Sequence, residues 1–172
     1  FSMKTLGGST LPATDKAALD AYGKKTAELE RAFQGATALL GELDNTSKLM
    51  RKATYSVAQP ATGLLADVKA LEEKIYAMKK AFYGDGVAGS IDRPAQPSLS
   101  SRIYGMSYEI WSSSSAPTST QQEQQRIAGD MFEKELSQLR RLYDVDLKNL
   151  ERKLEEAKAP YTPGRMPIWK KD

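Results

Sequence analysis

The chain has 172 residues, a charged fraction of 27% and a net charge of +3, and it contains neither cysteine nor histidine. This composition is typical of a folded globular domain, and it excludes disulfides, thiolate zinc sites and any catalytic triad built on histidine. It also argues against nucleic-acid binding, since no basic cluster dominates, and against a membrane span, because no run of about 18 apolar residues occurs.

The beginning of the chain is predicted to be irregular over residues 1–13, which include Gly7, Gly8 and Pro12. The first four residues lack the apolar run of a signal peptide, and we expect the chain to be a processed product or an excised domain. Thr14 or Asp15 is the expected N-cap of the first helix, because a short oxygen side chain can accept from the free amides of a first turn.

One apolar seam dominates the segment that follows. Its members are spaced by three and four residues, which returns their side chains to one face of an α-helix. They are Leu19, Tyr22, Thr26, Leu29, Phe33, Ala36, Leu40, Leu43, Ser47, Met50, Thr54 and Val57. Pro60 is expected to end this helix. Residues 44–47 are poor helix formers, so the sequence leaves open a break near Asp44 and Asn45.

The rest of the chain is predicted to form three more helices. The second spans 61–82, a long loop follows over 84–97, and Pro97 with Ser98 opens a short third helix. The last helix begins after Thr118, which fits a capping box with Gln121. Its apolar residues contain one extra step of four, so the seam is expected to drift around the helix; they are Phe132, Leu136, Leu139, Tyr143, Leu147, Leu150 and Leu154.

These elements predict an all-α fold, an elongated antiparallel up-down bundle of four helices in which the first and last are long. The predicted divisions are an irregular lead over 1–13, a helical bundle over 14–159 and a proline-rich C-terminal tail over 160–172. Three prolines keep the tail from forming regular structure. We expect it to pack across the bundle with Trp169 as its anchor.

Three motifs admit a functional interpretation beside a structural one. Residues 84–89 match G-x-G-x-x-G, but a helix precedes them where a nucleotide site needs a strand, so a flexible loop is favoured. Tyr104, Tyr108 and Trp111 recur at helical spacing in the third helix; core or interface packing is favoured, and a platform for stacking on sugar rings is the alternative. Candidate carboxylate pairs are Glu72 with Glu73, Glu133 with Glu135, Asp144 with Asp146, and Glu155 with Glu156.

These carboxylates do not predict a glycosidase site. Glycoside hydrolysis needs two carboxyl groups that flank a cleft, whereas adjacent residues on a helix diverge by about 100°. A lysine or arginine lies close by in the sequence in each case, which is typical of a solvated, charge-mixed helix face. We therefore expect no catalytic residues, no cofactor and no metal site, and we expect that this chain is not an enzyme.

Three segments carry a resemblance to a known family: 92–103 (DRPAQPSLSSRI), 116–121 (APTSTQ) and 159–169 (APYTPGRMPIW). Together they resemble the C-terminal helical region of bacterial exported proteins with BNR-repeat, sortilin-like β-propellers, which are commonly described as glycosyl hydrolases. The resemblance covers about residues 60–172 and does not include the propeller. It implies a location in the periplasm or outside the cell, and a partner in the β-propeller region of the same parent protein.

The expected function is accordingly that of a non-catalytic accessory or interaction domain, which packs on the propeller or orients it. One alternative is a free-standing coiled-coil interaction module, which needs an apolar seam that stays exposed. The other is a carbohydrate-binding module that uses Tyr104, Tyr108 and Trp111.

Overall fold

The computed structural model describes residues 14–57, 63–86 and 96–171, which form helices and no strand. Helix α1 is Lys16–Thr54, α2 is Leu64–Tyr83 and α3 is Leu99–Ser112. The last helix starts as α4 (Ser119–Arg141), passes through a π-helical segment (Leu142–Leu147) and ends as α5 (Lys148–Glu156). The predicted all-α class is confirmed for these ranges. The predicted lead over 1–13, Pro60 and most of the predicted loop lie outside them.

Short side chains that carry an oxygen atom cap the N-termini of three helices, as the sequence predicted. Asp15 Oδ1 accepts the backbone N–H of Ala18 at 2.9 Å, and Ser98 Oγ accepts that of Ser101 at 3.2 Å. Thr118 and Gln121 form the reciprocal capping box, with N–H to side-chain distances of 2.8 Å and 3.2 Å. These bonds satisfy amides that the first turn of a helix leaves without a backbone partner.

Helix α1 does not break near Asp44 and Asn45. Ser47 donates its hydroxyl to the backbone carbonyl of Asp44 at 2.9 Å, and the Asp44 carboxylate pairs with Lys48 at 2.7 Å and with Lys79 of α2 at 2.9 Å. Burial alone would raise the pKa of Asp44, but the hydrogen bonds and charges of the two lysines outweigh it and hold the pKa below its ordinary value. Tertiary contacts thus override the poor helix propensity of these residues.

The chain divides into two compact units. Unit 1 combines Phe1–Gly35 with Phe82–Lys134, and unit 2 combines Ala36–Ala81 with Glu135–Asp172. Helix α3 belongs to unit 1 and helix α5 to unit 2, whereas α1 contributes residues to both.

The core of unit 1 is built around Phe33. Its ring centroid lies 5.3 Å from that of Phe82 and 6.0 Å from those of Phe132 and Tyr104. A buried polar cluster accompanies the aromatic residues, since the Gln125 side-chain amide donates to Thr26 Oγ1 at 2.7 Å and to the carbonyl of Tyr22 at 3.1 Å. The other fully buried apolar side chains of the unit are Leu99, Ile103 and Ala128.

Unit 2 contains a longer aliphatic core and four ion pairs between helices. Asp44 pairs with Lys79 and Arg51 with Glu72, so α1 and α2 run in opposite directions in this unit. The pairs Lys74–Asp146 and Lys153–Asp67 show that α2 and the last helix are antiparallel as well. The up-down order of the whole chain stays a prediction. The buried aliphatic residues of the unit, alanines apart, are Leu40, Leu43, Met50, Leu64, Val68, Leu71, Ile75, Met78, Leu139, Leu142, Leu147, Leu150 and Leu154.

The π-helical segment changes the predicted seam of the last helix. Tyr143 was expected on the buried face, but it is 39% exposed, and Leu142 is buried in its place. The next buried residue is Leu147, five positions further along. A π turn closes hydrogen bonds between residues five apart, so it brings Leu142 and Leu147 to one face where an α-helix would rotate them apart. The extra residue in the spacing of the seam is therefore accommodated within the π-helical segment, and not by a gradual rotation along the helix.

Candidate functional site

Members of three of the four acidic pairs found in the sequence make ion pairs with basic side chains. Glu72 contacts Arg51, Asp146 contacts Lys74, Glu155 contacts Arg165 and Glu156 contacts Arg152. These contacts are typical of a charge-mixed helix surface. Among the described residues, no group of three acidic side chains could hold a metal ion.

The G-x-G-x-x-G motif begins directly after α2. Gly84 has φ +90°, which is the left-handed conformation that glycine supplies after a helix C-terminus. Residues 87–89 of the motif lie outside the described residues. In the part that is described, a helix precedes the glycines, which is the context that argues against a dinucleotide site.

Helix α3 presents three aromatic side chains to solvent. Tyr104 is 46% exposed, Tyr108 is 74% exposed and Trp111 is 90% exposed. The sequence favoured core or interface packing for these residues, and their exposure excludes the core for Tyr108 and Trp111, while interface packing stays a prediction. Tyr104 is exposed as well, although its ring makes an edge-on contact with Phe33.

These aromatic residues are exposed because a different set of residues forms the buried face of α3. Leu99, Ile103 and Met106 are its buried residues, and they recur by four and three. This face already fills the core side of a helix of 14 residues. The three aromatic residues are offset from it, and both faces look helical in sequence, so periodicity alone could not decide which one is buried.

The C-terminal segment after α5 contains a turn that its sequence specifies. The backbone N–H of Arg165 donates to the carbonyl of Thr162 at 3.0 Å, and Gly164 has φ +91°. Proline at the second position and a left-handed glycine at the third are typical of a type II turn. The Thr-Pro-Gly-Arg sequence (162–165) therefore has a structural explanation.

Arg165 fastens this turn to the end of α5. Its side chain is 4% exposed and pairs with Glu155 at 2.5 Å, while Nη1 donates to the carbonyl of Pro160 at 2.9 Å. Its guanidinium also lies over the Tyr161 ring, 5.1 Å from the centroid. A charged group that is buried and fully engaged in this way holds the backbone at a defined position.

The residues that follow Arg165 are held but exposed. Met166 is 84% exposed, Ile168 is 69% exposed and Trp169 is 80% exposed. The Tyr161 hydroxyl accepts the backbone N–H of Ile168 at 2.8 Å, which orients this stretch. The structure thus corrects the prediction that Trp169 anchors the tail, because Arg165 makes the buried contacts and Trp169 makes none of that kind.

Sequence reasoning missed the role of Arg165. A large aromatic residue near a chain's end suggests burial, because its apolar area is large. The sequence did contain a signal for this role, namely the Pro-Gly pair, which predicts a tight turn and hence a fixed position for the residue after it.

We call the exposed stretch 166–169 the apolar segment.

Comparison with known proteins gives no match for this chain, whether with family models, with curated proteins or with solved structures. No helix in the described ranges combines the length and the apolar character needed to cross a bilayer. The functional argument therefore depends on the two exposed apolar surfaces.

Proposed function

We propose that this chain is a helical interaction module that binds a protein partner through the apolar segment. The observation that carries the proposal is the contrast between Arg165, whose side chain is 4% exposed, and Trp169, which is 80% exposed four residues later. Solvent-exposed apolar side chains that lie together on a fixed backbone are typical of docking sites. A fixed segment also loses little conformational entropy when it binds.

The proposed partner is the β-propeller of a BNR-repeat protein exported from a bacterial cell, with this chain as a non-catalytic accessory region. The support for this partner is the resemblance of residues 92–103, 116–121 and 159–169 to such proteins. The last of these stretches contains both the Arg165 turn and the apolar segment. Sequencing the complete reading frame tests this part of the proposal, and an open frame without propeller repeats contradicts it.

A sugar-binding function is the second candidate. The exposure of Tyr104, Tyr108 and Trp111 favours it, because exposed aromatic faces can stack on sugar rings. A free-standing coiled-coil module receives no comparable support. The α1 seam that would have to stay exposed is largely buried, with Phe33 and Met50 at 0% exposure and Leu40 at 1%.

The two tryptophans of the chain allow one experiment to separate these candidates. Trp111→Phe leaves Trp169 as the reporter of the apolar segment, and Trp169→Phe leaves Trp111 as the reporter of α3. Emission of an exposed indole moves to shorter wavelength when the ring is buried in an interface. A purified propeller region is expected to shift the emission of Trp111→Phe and to leave that of Trp169→Phe unchanged.

An emission change confined to the Trp169→Phe variant would identify the aromatic face of α3 as the binding surface. Titration with soluble oligosaccharides that shifts only the emission of Trp169→Phe supports sugar binding at α3. If neither the propeller nor the oligosaccharides change the emission of either variant, both proposed functions are wrong. Arg165→Ala is the matched control for positioning, since it should weaken propeller binding without removing any side chain of the apolar segment.

A further inference from the structure

Unit 2 contains a groove of about 390 Å³ that is lined by α1, by the last helix and by the turn at 163–164. Leu43 and Leu147 of the lining are buried, whereas Leu49 and Tyr143 are large side chains that remain exposed. The volume lies within the range of pockets that hold small apolar groups. An exposed concave surface of this kind is typical of a binding site for another apolar group.

The apolar segment lies next to this groove in the chain but does not fill it. Gly164 lines the groove and Met166 follows two residues later, yet none of the residues 166–169, all of which the structure describes, belongs to the lining. The Tyr161 hydroxyl holds the backbone N–H of Ile168 at 2.8 Å. The segment is therefore fixed outside its own groove, and its apolar side chains are available to a second molecule.

The groove and the end of the segment carry opposite charges. Lys148 and Glu151 of the lining pair with each other at 2.9 Å, so the exposed carboxylate of Glu42 gives the lining a net negative charge. Lys170 and Lys171 directly follow the apolar segment and are exposed. A segment that enters the groove from another molecule therefore brings positive charge to a negative rim.

Reciprocal exchange of the segment between two copies gives the area that a stable interface needs. A tryptophan side chain accounts for about 150–250 Å², so the exposed side chains of one segment offer roughly 400 Å². The groove wall that they cover adds a similar area, which brings each copy to about 800 Å², the usual size of a stable interface. Because segment and groove meet near Gly164, a two-fold axis close to this residue unites both contacts.

We propose that this chain forms a two-fold homodimer in which the apolar segment of each copy lies in the groove of the other. This inference goes beyond the proposed function, because it assigns the groove as a second binding surface. A propeller and a second copy use the same segment and therefore exclude each other. The dimer is measured without a propeller, so its absence leaves propeller binding standing, and a failed propeller titration leaves the dimer standing.

The mass of the unmodified protein in solution is the first test. Sedimentation equilibrium over a wide range of protein concentration should show a mass that rises from 19.0 kDa to twice that value. The rise should stop there, because a two-fold interface is closed. A mass that stays at one chain up to the solubility limit, or one that rises beyond two chains, overturns the proposal.

Substitutions on each side of the contact test which surfaces meet. Trp169→Ala should raise the dissociation constant of the dimer at least about tenfold, because a buried aromatic anchor dominates such interfaces. Its matched control is Trp111→Ala, which removes the other exposed tryptophan from unit 1 and should change nothing. Leu49→Glu places a charge on an exposed wall of the groove and should weaken the dimer as well. An unchanged dimer in Leu49→Glu contradicts the groove as the receptor.

The lack of native cysteine allows the contact itself to be detected by disulfide trapping. Under mild oxidation, a mixture of Leu49→Cys and Ile168→Cys chains should form the mixed disulfide, identified by peptide mass. The matched control pairs Ile168→Cys with Tyr76→Cys, because Tyr76 is an exposed residue of α2, which does not line the groove. Equal rates of mixed disulfide formation in the two mixtures overturn the proposed arrangement.

Discussion

The two long helices of this protein bury their seams in different ways. In α1 the buried side chains from Phe33 to Met50 follow one another by steps of three and four. In the last helix the step from Leu142 to Leu147 is five. The first helix stays α-helical over 39 residues, and the last contains a π segment at the step of five.

This difference shows that the spacing of buried residues sets the local helix type. Steps of three and four average close to the 3.6 residues of an α turn, so α1 needs no adjustment. A step of five rotates an α-helix by about 140° beyond one full turn, which would move Leu147 away from the core. The π turn takes up the extra residue and keeps both leucines buried.

Deleting Asn45 from α1 is expected to have the largest effect. The deletion rotates every later residue of α1 by about 100°, so Met50 and Ala53 leave the buried face. The loss of their burial should destabilise the protein by more than about 4 kcal/mol. Chemical denaturation monitored by circular dichroism measures it, and a loss below about 1 kcal/mol would contradict the continuous seam.

Single substitutions on the π segment test its register. Leu142→Ala removes a side chain that is 4% exposed and should cost about 2–5 kcal/mol. Tyr143→Ala removes a partly exposed ring and should cost about 1 kcal/mol or less. The two variants are compared in the same urea titration. A larger loss of stability in Tyr143→Ala than in Leu142→Ala would show that Tyr143 is the buried residue, as sequence periodicity predicted.

Deleting Tyr143 is the counterpart of the Asn45 deletion. It shortens the step from Leu142 to Leu147 to four, so a continuous α-helix can replace the π segment without moving the later leucines. We expect a change in unfolding free energy of about 1 kcal/mol or less. Destabilisation as large as that of the Asn45 deletion would show that the π segment is not an accommodated insertion.

A substitution at the end of the last helix is expected to change the stability of the protein least. Lys158 has φ +52°, and the bonds from Lys158 N–H to Glu155 and from Ala159 N–H to Leu154 close the helix. This left-handed position after a helix favours glycine. Lys158→Gly is expected to stabilise the protein by about 0.5–1 kcal/mol, and Lys158→Ala at the same position serves as the control without that gain. A thermal melt in which glycine and alanine behave alike argues against strain at this residue.

Local chemistry explains which parts of the fold the sequence could predict. The caps at Asp15, Ser98 and Thr118 depend on residues within three positions, and the α1 seam depends on one helical period. Both kinds of pattern are complete in the sequence. The continuity of α1 through Asp44 was left open because it depends on Lys79, which is 35 residues away.

The candidate functional surfaces could not be predicted in the same way. Tyr143, Tyr108 and Trp169 are large and helically spaced or close to apolar neighbours, so area and period suggested burial for all of them. Their exposure depends on which other side chains fill the core first. Leu142, Ile103 and Arg165 take those positions, and competition between neighbouring side chains is a property of the packed structure.

The contact between Gln125 and Thr26 in unit 1 has a consequence for how α1 and α4 recognise each other. Hydrocarbon faces alone tolerate a slide of one turn, since one leucine-sized knob fits many holes. The buried amide of Gln125 has two acceptors on α1, Thr26 Oγ1 and the carbonyl of Tyr22. A slide by one turn would separate this amide from Thr26 Oγ1, and the loss of that buried hydrogen bond favours the observed alignment of the two helices.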